Sequence, residues 1–543
     1  MRPPGVLPRP PSPGGRRTTP SPAELLGTGL GFAALSLLAQ GLRWGVADHL
    51  LHLPLAADAT GDLLPPGDLL AGAAAAHPTL WWPILASLGI TGGLLLHLGV
   101  LVATGAALLR LARVLVGPAA PWVPLLLAVG QVALGGVDTA DSLLLPRGVA
   151  LPLELWAWAW FAEGRPRRAF ALLGVCLCLH APSAAAITAA LALLHLRADR
   201  SLLPLLLFPL FAAPVLGPWL MSGTAPLRLD PEHAAVIALR LGHHVDASTW
   251  PVAAWRDPLA WLGIVALGWR RAGAQLRGAT LGLLLVAAVG ALGWSLRLAL
   301  PVQLELWQAG RFLTILGAMA AASLLVDGRR SLREVAAGLL AVGQVLPGGV
   351  LLALARQRGA PRAPHPLLWA TMAAAMLWAA GHPPAGRSRA RWAPNPPTWP
   401  LQAAVEGLSP DALVATPPVG FEGLRRGGVG LYGTWKDGGE GLFDADRARE
   451  WRRRMGVLAG VDALAPIGRV PGRGGRQRLL RQRLQEGFQT QDVAVLAHRL
   501  RGEGVRYLIW AGPGPAGAAV IAVEGDHALL DLAQAARPTT IDP

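Results

Sequence analysis

Apolar runs about twenty residues long that stop at arginines recur along this chain, and they restrict it to a membrane. Between Leu88 and Leu109 no Asp, Glu, Lys or Arg occurs, and Arg110 and Arg113 end the run. At about 1.5 Å per residue, such a run crosses a hydrocarbon core of roughly 30 Å. Composition agrees: 53% of residues are hydrophobic, 15% are charged and the mean hydropathy is +0.43. These values exclude a soluble enzyme with an ordinary surface. The net charge of +15 does not point to nucleic acid, because the arginines cluster at the ends of apolar segments and Lys436 is the single lysine. Membrane topology accounts for that pattern.

Residues 1–22 form a Pro-rich basic tail without periodicity, expected to be disordered. The first apolar run leads into Gln40, Arg43 and Trp44 with no small-residue cleavage site, so it reads as a retained span. Arg16 and Arg17 place the tail in the cytoplasm. Further runs are closed by Arg165, Arg167 and Arg168, by Arg197 and Arg200, by Arg270, Arg271 and Arg277, and by Arg329, Arg330 and Arg333. The expected fold is an all-α polytopic membrane domain of about 11–13 transmembrane helices over residues 23–382. A small soluble α/β domain over residues 383–543 follows. In it, Val505–Trp510 and Ala518–Val523 read as buried strands, and Arg447–Leu458 and Asp492–Arg501 as amphipathic helices.

Three polar excursions, residues 43–87, 222–257 and 297–311, are read as external loops. The segment Ala169–Leu196 is apolar but interrupted at His180–Ser183. It is either two short helices or one broken helix facing a cavity. Two helices give twelve spans and return the C-terminal domain to the cytoplasm, in line with Arg387, Arg389 and Arg391. The broken helix gives eleven, relieves a topological conflict at Arg356, Arg358 and Arg362, and sends the domain outside, the reading adopted.

The stretch Arg43–Asp68 directly follows the first span and carries Asp48, Asp58, Asp62 and Asp68 with His49 and His52. A carboxylate at the edge of a bilayer is partly desolvated, which raises its basicity, and Asp48 is the candidate base. As a plain interface marker it would need no such role. The second loop carries Arg240, His243 and His244, with Trp250 as a stacking face, a set suited to phosphate or sugar. Neighbouring histidines on a helix diverge, so no metal site is expected there. His97, Gln131, Glu154, His180 and Gln344 lie within apolar runs, where ionisable groups suggest function. Packing is the plainer role for each. Cys176 and Cys178 read as inert core thiols. Thr416–Arg426 and Trp435–Asp437 hold glycines and basic residues without a phosphate-loop pattern. No zincin, nucleophile-elbow or dinucleotide motif occurs in a fitting context, so no cofactor is expected.

These residues carry a resemblance to the polytopic GT-C superfamily of membrane glycosyltransferases, and within it to an uncharacterised bacterial membrane protein family with a domain of unknown function. Its motifs here are D-H-L-L-H-L-P (Asp48–Pro54), L-P-R (Leu145–Arg147), L-H-A-P-S (Leu179–Ser183), R-L-G-H-H (Arg240–His244) and W-Q-A-G-R (Trp307–Arg311). In the soluble part they are Ser409–Pro418, Thr434–Lys436 and Trp451–Arg454. The resemblance implies a multi-pass protein of the bacterial inner membrane, acting in the cell envelope, with its C-terminal domain outside. It implies membrane lipid as a partner, a polyprenyl-phosphate sugar donor, and an acidic base in the first external loop, which falls on Asp48. His49 stands where the usual second acid would be. Substrate contacts would fall on His49, Arg147, Arg240, His243, His244 and Arg311. The expected function is sugar transfer from a lipid-phosphate donor to an acceptor on the outer face. The alternatives are a non-catalytic cell-envelope assembly protein and a transporter, which would show two matching halves.

Overall fold

The computed structural model describes residues 19–61, 64–128, 133, 139, 141–221, 226–250, 252–269, 272–326, 392–393, 398–465, 475–512 and 519–534. Asp62, Gln131, Gln344 and residues 327–391, the last part of the expected membrane domain included, lie outside them. The chain divides into two compact units. One comprises Met1–Arg43, Ile90–Pro218 and Trp250–Pro394; the other comprises Trp44–Gly89, Trp219–Thr249 and Asn395–Pro543.

The first unit is helical and belongs to an integral membrane protein. Among the described residues five helices are long and apolar enough to cross a bilayer: Pro22–Gln40, Trp81–Ala119, Ala181–Ala198, Leu203–Met221 and Ala274–Ser295. The helix Trp81–Val116 breaks at Gly89, whose φ of 57° suits glycine, and there the chain passes between the units. Shorter helices, Pro146–Ala162, Pro166–Leu179, Val252–Gly268 and Ala309–Val326, complete the bundle.

Polar side chains mark two ends of this unit. At one end Arg113 pairs with Glu24, and Arg110 forks onto Glu163 at 2.9–3.1 Å. Gln275 donates to the Ala162 carbonyl there at 3.0 Å. At the other end the Arg43 guanidinium donates to Ser142 Oγ at 2.7 and 3.0 Å, and Leu42–Arg43 pairs in parallel with Trp392–Ala393. Glycines let helices close in between. A Cβ on Gly278 would meet Leu194, and one on Gly282 would meet Ala190, so Ala274–Ser295 runs antiparallel to Ala181–Ala198.

The interrupted segment is a helical hairpin. Pro166–Leu179 and Ala181–Ala198 meet at His180, where the backbone leaves the helical region (φ −152°, ψ 94°). Phe170 in the first arm lies 5.9 Å from His195 at the end of the second, and both stand against Phe161. The segment therefore returns to the end where it began. Of the two readings of residues 169–196, two helices is the one observed, and the single broken helix behind a count of eleven is not.

The second unit is α/β. Its sheet runs Gly430–Leu431, Leu413–Ala415, Tyr507–Ala511, His527–Asp531, Ala519–Glu524, parallel across the first three strands and antiparallel across the last two joins. Alternation along Tyr507–Ala511 feeds two cores. Leu508 and Trp510 face Met455, Leu484, Phe488 and Leu496, whereas Tyr507 and Ile509 face Val405, Phe421 and Leu424. The expected helices appear as Ala445–Ala459 and Val493–Gly502. Ala519–Glu524 forms a strand as expected, but as the edge strand it leaves Val520, Ile521 and Val523 exposed. The first excursion contributes the helix His49–Thr60, and the second contributes Pro231–Val245, capped by Asp230 accepting from the His233 amide at 2.9 Å. Val236 and Leu239, one helical turn apart, enter the larger core.

Candidate functional site

Two polar assemblies hold most of the residues singled out by sequence, one in each unit.

In the second unit Asp48 precedes the helix His49–Thr60, with its side chain 42% exposed, and Lys436 Nζ donates to its Oδ1 at 2.8 Å. Lys436 belongs to a run in which the neighbouring Trp435 is buried. The Arg240 guanidinium lies 3.9 Å from the centre of the Trp435 ring and 5.8 Å from that of Trp451, and Arg481 lies 5.0 Å from Trp435. Gly438 makes room for this stack, because a Cβ there would sit 2.6 Å from Trp451 and 2.8 Å from Arg240 Nε. Arg240 Nη2 donates to the Lys436 carbonyl at 3.4 Å, and Nε has no hydrogen-bond partner among the described residues. Burial, followed by the like charge of Arg481, pulls Arg240 down to about 9, so it stays protonated at neutral pH. Gln477 ties His243 in by donating to its Nδ1 at 2.5 Å and to the Arg240 carbonyl at 2.8 Å; the His244 ring lies 3.8 Å from that of His243, tilted by 40°.

A second layer holds this cluster. Arg425 is buried and forks onto Asp68 at 2.8 and 3.1 Å and onto Asp437 at 2.7 and 2.8 Å. Burial opposes its charge, but the two carboxylates outweigh that and hold it well above the ordinary guanidinium range. Buried Glu422 is pushed up from the ordinary carboxylate value, by desolvation first and then by Asp437. His49 is fully buried, accepts from the Gly45 amide at 3.0 Å and packs edge-on against Trp44, so it is used within the fold.

In the membrane unit Arg147 forks onto Asp141 at 2.9 and 3.1 Å, and its carbonyl accepts from Arg311 Nη1 at 2.7 Å. Arg311 is fully buried and also donates to the Thr139 carbonyl at 3.3 Å. A small cavity of about 20 Å³, room for a single water, lies here, lined by Arg311, His97, Asp141, Thr104 and Thr139 together with Leu143–Leu145 and Leu151.

Asp48, Arg240, His243 and His244 thus share one unit, and Arg147 and Arg311 share the other. Trp435, Glu422, Arg425 and Arg481 join the first set, and three of them lie in Thr416–Arg426 and Trp435–Asp437, runs that sequence marked only for glycines and basic residues. The W-K-D triplet was the available signal, because a lysine-poor chain places its single lysine there. Among the described residues no three metal-binding side chains gather. No protein-family model, curated protein or solved structure matches the chain.

Proposed function

We propose that this integral membrane protein transfers a sugar from a polyprenyl-phosphate donor to an acceptor on the outer face of the membrane. The observation that carries the reading is the pairing of Asp48, the acid that follows the first apolar helix, with Lys436 beside Arg240 and Arg481. Asp48 is exposed, not desolvated as expected, and Lys436 keeps it ionised. It can therefore accept a proton from a hydroxyl while Arg240 and Arg481 on the neighbouring Trp435 favour a phosphate nearby. Lys436 and Arg481 meet the phosphate, and Arg240, fixed against Trp435, sustains the positive field behind them. Arg147 and Arg311, joined by the Arg147 carbonyl, are the residues of the membrane unit assigned to a charged lipid headgroup.

The side of action follows from topology. The chain passes into the second unit after Arg43, Pro218 and Pro394. The opposite end of the membrane unit, marked by Arg110 and Arg113, also gathers Arg165, Arg167, Arg168 and Arg277. By the positive-inside rule that basic end suits the cytoplasm, which supports an outer-face site. The hairpin overturns the eleven-span count on which the outside reading rested, and two helices there would make twelve and favour the cytoplasm, so the outer-face reading now rests on the basic end alone.

The test is turnover of a lipid-linked sugar in membranes carrying Asp48→Asn. The expected loss is on the order of 10²–10⁴ in rate with the protein still folded. Unchanged turnover would end the role of Asp48.

A further inference from the structure

Inside the membrane unit, a chain of hydrogen bonds joins the tip of the helical hairpin to the neighbouring helix Pro146–Ala162. Ser183 Oγ lies 2.5 Å from Glu154 Oε1, and His180 Nδ1 lies 2.8 Å from Ser183 Oγ. Glu154 is fully buried, and its Oε2 has no hydrogen-bond partner among the described residues. Charged and titratable groups face Glu154 from each element packed on it: Arg311 from Ala309–Val326, Cys176 from Pro166–Leu179, and His180 with Ser183 at the hairpin break. A glutamine would satisfy Ser183 equally well, so packing alone does not call for an ionisable group at this depth.

The three contacts admit two proton arrangements. In one, Glu154 is ionised and accepts from the Ser183 hydroxyl, whose oxygen accepts from His180 Nδ1–H. In the other, Glu154 carries a proton and donates to Ser183 Oγ, and the serine hydroxyl donates to His180 Nδ1. Only the second lets Nδ1 also accept the Ser183 amide, which lies 3.4 Å away as the cap of the second hairpin helix. Both arrangements keep the Glu154–Ser183 and Ser183–His180 contacts, and the second keeps the amide cap as well.

We propose that His180, Ser183 and Glu154 form a proton relay that takes a proton from water and stores it on Glu154 within the membrane unit. A hydronium ion gives a proton to His180 Nε2 and leaves as water. The Nδ1 proton moves to Ser183 Oγ, and the hydroxyl proton moves to Glu154 Oε1. One solvent proton is taken up, no electron is transferred, and the imidazole exchanges its tautomer. The site takes hydronium, and its action does not depend on sugar transfer.

The experiment is infrared difference spectroscopy of the full-length protein in lipid nanodiscs after a rapid drop in pH. The carboxylic-acid C=O band should rise in the wild type and be absent in Glu154→Gln. Ser183→Ala should slow its rise by about tenfold or more, and Ser183→Thr, which keeps the hydroxyl, should restore it. If Ser183→Ala does not accumulate, His180→Phe replaces it in the comparison. The relay is overturned if the band survives in Glu154→Gln, if the wild type shows no pH-dependent band, or if the interrupted variant responds at the wild-type rate.

Discussion

Arg425 illustrates how one residue can unite distant parts of a chain. Its guanidinium satisfies Asp68 and Asp437 at once, and Asp68 Oδ2 also accepts the Leu431 amide at 2.7 Å. All three side chains are buried, so removal of one charge leaves the others without full compensation. Asp68→Asn should destabilise the second unit by about 3–5 kcal/mol, read from denaturant unfolding by tryptophan fluorescence. A change below the scatter of surface substitutions would show that the ion triad is dispensable. Gly438→Ala offers a sharper steric test, since the added methyl meets Trp451 and Arg240. It should lower stability by roughly 1–3 kcal/mol, as overpacking does, and a neutral result would mean that the stack yields easily. Asp48 and Arg240 were legible because polar residues stand out against leucine. Arg425 was not, because in sequence a buried arginine looks like a solvated one until its two carboxylates are brought to it from other parts of the chain.

At the scale of elements, periodicity predicted the helices Ala445–Ala459 and Val493–Gly502 to within a few residues, since each shows one apolar face and an aspartate cap. The hairpin was legible only as an interruption. H-A-P-S marks a break, but the direction of the chain after it depends on Phe161, Phe170 and His195 meeting, a tertiary contact. The helix Ala445–Ala459 also carries a pH-dependent element. Hydrogen bonds from Arg453, partly opposed by burial and aided by Arg454, hold Glu450 down to about 2 from a usual 4.5. Its folded value lies below its unfolded value, so its contribution is complete above about 4.5 and is lost as the pH falls toward 2. Stability measured through that window should therefore fall more steeply in the wild type than in Glu450→Gln. Equal slopes would show that Arg453 is satisfied by Glu503 alone, which it also contacts at 2.6 and 2.7 Å.

For the molecule as a whole, the central claim is that two excursions from the bundle and the C-terminal domain form one unit on the outer face. Salt links within that unit join the three chain segments: Asp68 with Arg425, Asp48 with Lys436, and Glu232 with Arg452. A bilayer cannot separate groups in such contact, so the three share one side. Hydropathy alone could not show this, because counting spans gives only parity, and parity changes with a single hairpin. The most direct test is a cysteine placed at exposed Ser409 and treated with a membrane-impermeant thiol reagent in intact cells. The native thiols Cys176 and Cys178 are buried and should contribute little background. Labelling of Ser409→Cys before lysis is the predicted result. Protection in intact cells, with labelling only after lysis, would put the second unit in the cytoplasm and contradict the account.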